Sequence, residues 1–394
     1  MLYMIFLTQK DFGKLINWYL INTANSGVII NKLQSLAKFQ IVQRRANDYI
    51  IERAWAGKFS MDDALGLHND PNVLFPLADR LRKKAVGDTV TYVVNRNINF
   101  TNRCIGTCKF CAFKKEDGYI LSIRDILEKT KEAVKVNATE VCIQGGLLPD
   151  WDVTNYCEIL ESIKKVYPHI HIHAFSPMEV FHAARNSNLS YKETLGRLKG
   201  SGLGSMPGTA AEILVDRVRE QICPDKLTTH EWIEIVKTAH NSGIHTTATI
   251  MYGHIETLRE RIEHLFIIRD IQRETGGFTE FVPLPFMPSN NMLGQGDHIL
   301  RGFEDLKFHA LARVLLYPYI KNIQASWVKM GAELAQSALM CGANDLGGTL
   351  MEEKISKSAG AMNGEYMAPD DFMKMIRQIN RVPRQRDTLY GEVG

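Results

Sequence analysis

Three of the seven cysteines in this 394-residue chain lie within one short polar segment, NRCIGTCKFCAFKK. Cys104, Cys108 and Cys111 have the spacing C-x3-C-x2-C and directly follow a segment that we predict to be a strand. Thiolates are the usual protein ligands of structural zinc and of iron–sulfur clusters. Both kinds of site normally have four protein ligands, and this segment supplies three. The missing fourth ligand restricts what the chain can bind.

A zinc site would need a fourth Cys or His at a nearby position. The next cysteine is Cys142 and the next histidine is His169, and each lies inside or beside an apolar strand. A zinc-stabilised binding module is therefore the weaker hypothesis. A redox carrier is also disfavoured, because such proteins are usually small and have all four cysteines. A [4Fe–4S] cluster held by three thiolates keeps one iron open for a chelating amine and carboxylate, such as the methionine end of S-adenosylmethionine.

From residue 89 the sequence alternates predicted strands with predicted helices. Seven or eight such units over about 255 residues match the roughly 250 residues of a (β/α)₈ barrel. An open doubly wound sheet is the alternative. Candidate motifs follow the first five strands, and barrel enzymes place their sites at these strand ends, so the α/β TIM-type barrel, complete or incomplete, is favoured. The strands are predicted over 89–100, 140–146, 169–176, 202–208, 244–253, 278–286 and 322–331, with a short eighth over 343–348.

Segments on either side of the barrel are predicted to be helical. In the preface, SMDDALGLH begins with a Ser N-cap followed by acidic residues. The run RLRKK at 80–84 is expected to be a solvated helix end. The predicted organisation is an N-terminal extension of uncertain order over 1–42, a helical preface over 43–88, the barrel over 89–348 and a C-terminal helical extension over 349–394.

Composition excludes several classes of protein. The formal net charge of +3, without a dense basic run, argues against a nucleic-acid partner. The apolar start MLYMIFL is shorter than the roughly 20 residues of a membrane span, and it lacks the positive start of a signal peptide. The other four cysteines are dispersed and do not suggest a disulfide framework. We therefore expect a cytoplasmic protein in a reducing compartment.

The cysteine spacing, with Phe110 before the last cysteine, resembles the signature of the radical S-adenosylmethionine (radical SAM) superfamily. Gln144, Gly145 and Gly146 resemble that superfamily's glycine motif, where backbone groups meet the amino end of the cofactor. A simple strand-to-helix turn is the alternative for the glycines. The resemblance implies a [4Fe–4S] cluster with S-adenosylmethionine as its fourth ligand. Electron transfer to the sulfonium would then produce a 5′-deoxyadenosyl radical.

A closer resemblance covers roughly residues 45–390. The segments NFTNRCIGTCKFCAFKK, CIQGGLLPD, HIHAFSPMEV, GSMPGTAAEIL, ATIMYGHIE and FVPLPFMP are similar to subunit 2 of FO synthase. That family is implied to join the 4-hydroxybenzyl group of L-tyrosine to 5-amino-6-(D-ribitylamino)uracil, releasing 2-iminoacetate, in the synthesis of the deazaflavin FO. FO synthase subunit 1 and a low-potential electron donor are the implied partners. Enzymes acting on futalosine-type menaquinone precursors are the alternative, and PGTAAEIL favours FO synthase.

Two candidate catalytic residues lie near the third predicted strand. His173 shares one strand face with His171, and inside a barrel it could bind substrate or relay a proton. A core histidine satisfied by protein hydrogen bonds is the alternative. Glu179 is predicted to meet the tyrosine ammonium or a ribityl hydroxyl. Its alternative is an acid in the first turn of a helix that starts at Pro177.

Further candidates follow the fourth and fifth predicted strands. Thr209 and Glu212 match a T-x-x-E capping box, which would explain both residues without a ligand. The same helix N-terminus would offer free N–H groups to a carboxylate, so both are candidate cofactor-binding residues. His254 is a candidate for proton transfer. Arg217 and Arg219 are expected on a solvated helix face.

Overall fold

The structure is a computed structural model that describes residues 50, 52–53, 56–295 and 302–393. Two units divide the chain, Met1–Arg53 and Ala54–Gly394, and the elements described below belong to the second. The extension predicted over 1–42 lies outside the described residues, as do most residues of the predicted helical preface before residue 56.

Short-range capping determines where many helices begin. Six of the described helices start at a Ser or Thr whose side chain accepts a hydrogen bond from an amide three residues later, where an Asp or Glu completes a capping box. The predicted Ser60 cap is one of them. The helices are α1 Met61–His68, α2 Pro71–Val86, α3 Ile123–Lys135, α4 Val153–Val166, α5 Pro177–Ser187, α6 Tyr191–Gly200, α7 Asp216–Ile222, α8 Thr229–Asn241, α9 Leu258–Thr275, α10 Phe303–Leu316, α11 Trp327–Met330, α12 Ala332–Met340, α13 Lys354–Ser358 and α14 Pro369–Gln378.

Parallel strands form the inner layer. Six of them are hydrogen-bonded in chain order from β2 to β7, and three more form a sheet in the order β8-β1-β9. The six-stranded sheet curls into a half-barrel with helices outside it, which confirms the predicted barrel in its incomplete form. The strands are β1 Thr89–Val93, β2 Asn95–Asn99, β3 Glu140–Gln144, β4 His171–Ala174, β5 Ser205–Met206, β6 His245–Tyr252, β7 Phe278–Pro285, β8 Asp345–Gly348 and β9 Val382–Arg386.

Two strand predictions need correction. The single strand predicted over 89–100 is divided at Val94, because the backbone changes partners there: Val93 O accepts from Thr349 N, whereas Val94 O accepts from Thr139 N. The strand predicted over 322–331 is wrong beyond its first residues. Parallel bridges join 323 to β7 and 324 to β8, and α11 then begins at Trp327.

The flanking segments are helical as expected, except that one predicted surface residue is buried and the C-terminal segment also forms a strand. Arg82, in the RLRKK run of α2, is fully buried and donates to Asp79 at 2.7 Å, so the expectation of a solvated helix end is wrong there. The reason is that α2 packs against α10. The C-terminal extension contains α13 and α14, and it also contributes β9, which pairs with β1 along its whole length. Among the described residues, no helix is both long and apolar enough to cross a bilayer.

Candidate active site

Cys104 is held at the carboxyl ends of β2 and β3. Its Sγ accepts hydrogen bonds from the amides of Gly106 and Leu147, each at 3.3 Å. Ile105 N donates to Leu147 O at 3.0 Å, so the cysteine loop is tied to the segment that follows β3. Amide donors to a sulfur stabilise the thiolate form and tune iron–sulfur clusters. Cys104 therefore has the surroundings of a thiolate ligand.

The glycine motif is packed against the cysteine loop. Gly146 N donates to Thr101 O at 3.0 Å, and a Cβ at this position would lie 2.0 Å from Arg103 O. A Cβ on Gly145 would lie 2.6 Å from the Phe100 ring. Close approach of the Arg103 backbone thus requires Gly146, and close packing of the Phe100 ring favours Gly145, rather than turn formation alone. The predicted contact of Gln144, Gly145 and Gly146 with a cofactor stays a prediction.

Cys108 and Cys111 border an open cavity of about 560 Å³. The far wall is the segment after β7, whose amides at Met292 and Leu293 donate to Lys109 O at 2.9 and 3.1 Å. No motif in the sequence predicted this wall as part of the site, although Pro288 ends the segment FVPLPFMP. The lining residues are Cys108, Lys109, Cys111, Pro288, Asn290, Asn291, Met292 and Gly294.

The three cysteines suit a cluster better than a single metal ion. Among the described residues, no three His, Cys, Asp or Glu side chains are grouped closely enough to hold one ion. Zinc would need its sulfur ligands about 2.3 Å from the metal. In a four-iron cluster each thiolate binds a different iron, so the ligands stand further apart. The spaced cysteines, the donors to Cys104 and the adjoining cavity fit a [4Fe–4S] cluster.

A second segment, which has no recognisable motif in the sequence, lies against the cysteine loop. Lys109 N donates to Ile222 O at 2.9 Å, and the Thr107 hydroxyl donates to the Asp225 carboxylate. Lys226 Nζ lies 5.2 Å from the centroid of the Phe110 ring, a cation–π distance. The residues from Ile222 to Lys226, which we call the clamp segment, therefore contact the loop at three of its residues.

Glu212 faces the clamp segment and does not cap a helix. The predicted capping box is wrong, because α7 begins only at Asp216 and its N-cap, Val215, makes no side-chain cap. Before it, Ala210 and Glu212 have φ values of 63° and 44°, which no right-handed helix allows. The Glu212 carboxylate instead accepts from Lys226 Nζ at 2.5 Å.

Thr209 has no capping role either. Its Oγ1 is buried without a hydrogen-bond partner among the described residues, and its backbone carbonyl accepts from the Trp232 indole at 3.3 Å. Binding of the cofactor by Thr209 and Glu212 stays a prediction.

The prediction that Arg219 lies on a solvated helix face is wrong, whereas Arg217 lies on the surface as expected. Arg217 is exposed and pairs with Glu260. Arg219 is buried, and its guanidinium donates to backbone carbonyls of the loop after β5 and of the segment after α7. The acceptors are the carbonyl oxygens of Ala210, Ala211, Ile213 and Leu227.

Glu179 occupies the position given by its alternative, in the first turn of a helix, and it also contacts the glycine motif. It completes the capping box of α5 with Ser176, and its Oε1 also accepts from Gly145 N at 3.2 Å. Burial raises the pKa of this carboxyl to about 7, against an ordinary value of 4.5. A carboxyl with this pKa can give or take a proton near neutrality. Its position beside the glycine motif keeps it a catalytic candidate.

His173 lies deeper in the barrel. Its Nδ1 is 2.7 Å from Ser205 Oγ, and the same hydroxyl lies 2.8 Å from His171 Nε2. Burial lowers the pKa of His173 to about 4, opposed by the charge of Glu140. Glu140 is the first residue of β3, at the strand end opposite Gln144. These surroundings are those of a core histidine satisfied by protein hydrogen bonds, the alternative to a catalytic role. The catalytic role of His173 stays a prediction.

His254 has both ring nitrogens engaged by nearby groups. Its Nδ1 lies 2.8 Å from Ile255 N and 3.0 Å from Glu256 Oε2, and its Nε2 lies 3.0 Å from Met251 O. Glu256 also accepts from Arg261 at 2.6 Å. Proton transfer by His254 would have to interrupt one of these contacts, and it stays a prediction.

Comparison with known proteins agrees with this site. The Radical SAM superfamily model matches residues 98–268, and the CofH/MqnC C-terminal region model matches residues 275–393. The chain is 59% identical over 350 residues to 5-amino-6-(D-ribitylamino)uracil–L-tyrosine 4-hydroxyphenyl transferase 1 of Methanosarcina acetivorans, covering 87% of this chain and 93% of that protein. It is 61% identical over 331 residues to the transferase of this name from Archaeoglobus fulgidus, covering 84% and 96%.

The fold is also found among solved structures. Methylornithine synthase (PylB) superposes with a TM-score of 0.68 at 16% identity, covering 85% of this chain and 97% of that one. At this identity the likeness concerns the fold alone. The identities above, in contrast, extend over most of each transferase and confirm the resemblance seen in the sequence. This chain therefore belongs to the radical SAM superfamily and, within it, to the family of 5-amino-6-(D-ribitylamino)uracil–L-tyrosine 4-hydroxyphenyl transferases.

Proposed function

We propose that this chain joins the 4-hydroxybenzyl group of L-tyrosine to C5 of 5-amino-6-(D-ribitylamino)uracil and releases 2-iminoacetate, methionine and 5′-deoxyadenosine. The reaction leads to FO, the chromophore of a deazaflavin coenzyme. The observation that carries the proposal is the 59–61% identity, over 93–96% of their length, to proteins named for this transfer. The cysteine site supports it, because its residues fit the cluster that such chemistry requires.

The chain's own residues would hold the cofactors and the substrates in place. When bound, the cluster and S-adenosylmethionine supply a 5′-deoxyadenosyl radical that takes a hydrogen atom from tyrosine. Cys104, Cys108 and Cys111 would hold the cluster. The backbone at Gly145 and Gly146 would meet the cofactor's amino end. Enclosure by the barrel would exclude water from the reacting centre.

Three titratable side chains would handle protons and polar groups of the substrates. The Glu179 carboxyl is the strongest candidate, because it lies beside the glycine motif and its pKa is raised by burial to about 7. It would exchange a proton at a carboxyl oxygen or meet the tyrosine ammonium. His173 and His254 would serve through Nδ1 or Nε2 only after exchanging a present partner.

The chain would act with two partners in a reducing compartment. FO synthase subunit 1 would take the product onward by closing the ring, and a low-potential donor would reduce the cluster. All seven cysteines are free, which is typical of the cytoplasm. We infer a cytoplasmic enzyme on this basis.

The test is an anaerobic assay with purified protein. Protein reconstituted with iron and sulfide is mixed with dithionite, S-adenosylmethionine, L-tyrosine and the ribitylaminouracil, and products are identified by mass spectrometry. A 4-hydroxybenzyl adduct of the uracil together with 5′-deoxyadenosine is the expected result. Cys108→Ala should lose the cluster and all turnover, whereas Cys341→Ala, at a buried cysteine in the turn before β8, should keep both. Absence of the adduct with an intact cluster would refute the proposed substrates.

The futalosine-type alternative is open to the same assay. The C-terminal family model names both CofH and MqnC, so it does not by itself separate the two activities. The transferase relatives favour the tyrosine reaction. Turnover of a futalosine-type substrate without the uracil adduct would reverse this preference.

A further inference from the structure

The clamp segment brings one charged pair to the cysteine loop. Lys226 lies over the ring of Phe110, between two of the cysteines in sequence, at 5.2 Å from the ring centroid. Its Nζ donates to the Glu212 carboxylate at 2.5 Å. Both side chains are largely shielded from solvent, with exposed fractions of 18% for Lys226 and 13% for Glu212. Their charges are therefore weakly screened by water and salt.

The pair is held by structure on both of its sides. On the clamp side, the Lys109–Ile222 backbone bond and the Thr107–Asp225 contact fix the loop against the segment that carries Lys226. On the other side, Glu212 occupies the strained loop after β5, whose carbonyls are held by the buried Arg219. The backbone segments that carry the two charges are thus held in place beside the cysteine loop.

Charge near an iron–sulfur cluster changes how readily the cluster accepts an electron. A positive charge stabilises the reduced, more negative state and raises the reduction potential, and a negative charge has the opposite effect. Phe110 lies between Cys108 and Cys111 in the loop, so the Lys226 cation lies against the segment that joins these two cysteines. Neither Lys226 nor its pairing with Glu212 was foreseen from the sequence.

We propose that Lys226 is a positioning residue that holds a positive charge against the cysteine loop and raises the reduction potential of the cluster, and that Glu212 moderates this effect. The inference rests on the proposed cluster at Cys104, Cys108 and Cys111. It assigns a function to the clamp segment: the segment eases delivery of the electron that starts each turnover.

The experiment measures the midpoint potential of the reconstituted protein without S-adenosylmethionine, by redox titration followed by electron paramagnetic resonance. Lys226→Met should lower the potential, because it removes the cation and leaves Glu212. Glu212→Gln should raise the potential, because it leaves Lys226 uncompensated. Lys226→Arg should stay near the wild-type value. The control is Lys237→Met, which breaks a Lys–Glu pair of the same 2.5 Å length but greater exposure, between α8 and Glu274 of α9, and should leave the potential unchanged.

Opposite shifts from the two single variants would establish a charge effect, since general damage to the loop would move both potentials the same way. Shifts of one sign, or shifts no larger than that of Lys237→Met, would overturn the inference. Should Lys226→Met fail to take up iron, Glu212→Gln still decides: a raised potential would support the inference, and an unchanged or lowered potential would overturn it. A wild-type protein that takes up no cluster would instead refute the proposed function itself.

Discussion

At the scale of single residues, contacts of under 3 Å decide which side chains the site tolerates. Gly146 has no room for a methyl group, because a Cβ would meet Arg103 O at 2.0 Å and Cys104 Cβ at 2.8 Å. Glu179 lies on the other side of the same motif and accepts from Gly145 N. A side chain added at the glycine motif would therefore displace the cysteine ligand Cys104.

Gly146→Ala is expected to displace the cysteine loop. Overpacking of this kind costs about 1–3 kcal/mol of stability, and we expect most of the bound iron to be lost after reconstitution. Iron content and thermal unfolding measure the two effects. The matched control is Gly196→Ala in α6, where a Cβ meets nothing within 4 Å and stability should be kept or gained. Normal iron content in Gly146→Ala would contradict the close packing described for the motif.

Glu179→Gln is expected to change how stability depends on pH. The pKa of Glu179 is raised to about 7 in the folded protein, so its stabilising contribution is fully present below its ordinary pKa of 4.5. That contribution is lost as pH rises through 7, and the loss amounts to about 3 kcal/mol. Urea unfolding between pH 4.5 and 8 should show this decline in the wild type relative to the variant. Parallel curves for the two proteins would contradict a raised pKa at this position.

At the scale of elements, the loop between β5 and α7 is held by one side chain. Positive φ values at Ala210 and Glu212 cost free energy, and such strain persists only where surrounding contacts determine the conformation. Arg219 supplies these contacts by donating to carbonyls of the loop and to Leu227 O. The loop in turn places the Glu212 carboxylate opposite Lys226. Arg219, which lies outside the site, thus determines where the Glu212 carboxylate lies.

Arg219→Met should destabilise the protein by about 2–5 kcal/mol, because several buried carbonyls lose their donors. Arg217→Met, two residues away, removes only an exposed ion pair with Glu260 and should cost less than about 1 kcal/mol. Chemical denaturation of both variants measures the difference. Equal losses would show that Arg219 makes no special contribution to the loop.

At the scale of the whole molecule, the C-terminal segment closes the sheet at the end away from the cysteines. β9 pairs with β1, and Arg386 binds the Asp345 carboxylate through two nitrogens at 2.6 and 3.1 Å. Beyond it, Thr388 donates to Glu140 at 2.5 Å and Tyr390 donates to Glu280 at 2.7 Å. The buried carboxylates of Glu140, Glu280 and Asp345 thus form hydrogen bonds with residues of the C-terminal segment.

Arg386→Met should cost about 3–5 kcal/mol, because it leaves the buried Asp345 carboxylate without its cation. Arg384→Met on the same strand breaks only an exposed pair with Glu392 at 3.3 Å and should change stability by less than about 1 kcal/mol. Thermal and urea unfolding of the apoprotein measure these losses without involving the cluster. A small loss for Arg386→Met would mean that the C-terminal strand is dispensable.

The sequence by itself determined the features whose signals are local. The cysteine spacing indicated the cluster, strand and helix periodicity indicated the barrel, and Ser or Thr followed by Asp or Glu indicated the helix starts, because each depends on residues close together in the chain. The failed capping box at Thr209 shows the limit of such a signal, since the loop conformation is held by Arg219, which lies outside the four-residue motif.

Only the tertiary structure decided which distant groups complete the site. Lys226 lies 115 positions after Cys111 in the sequence and carries no motif, yet it lies on the ring of Phe110. Arg219 reads as a surface residue, and its burial depends on the loop that folds over it. The partners of Glu140 and Glu280 come from the far C-terminus. Such pairings follow from how strands and helices pack around one another, which no short stretch of sequence specifies.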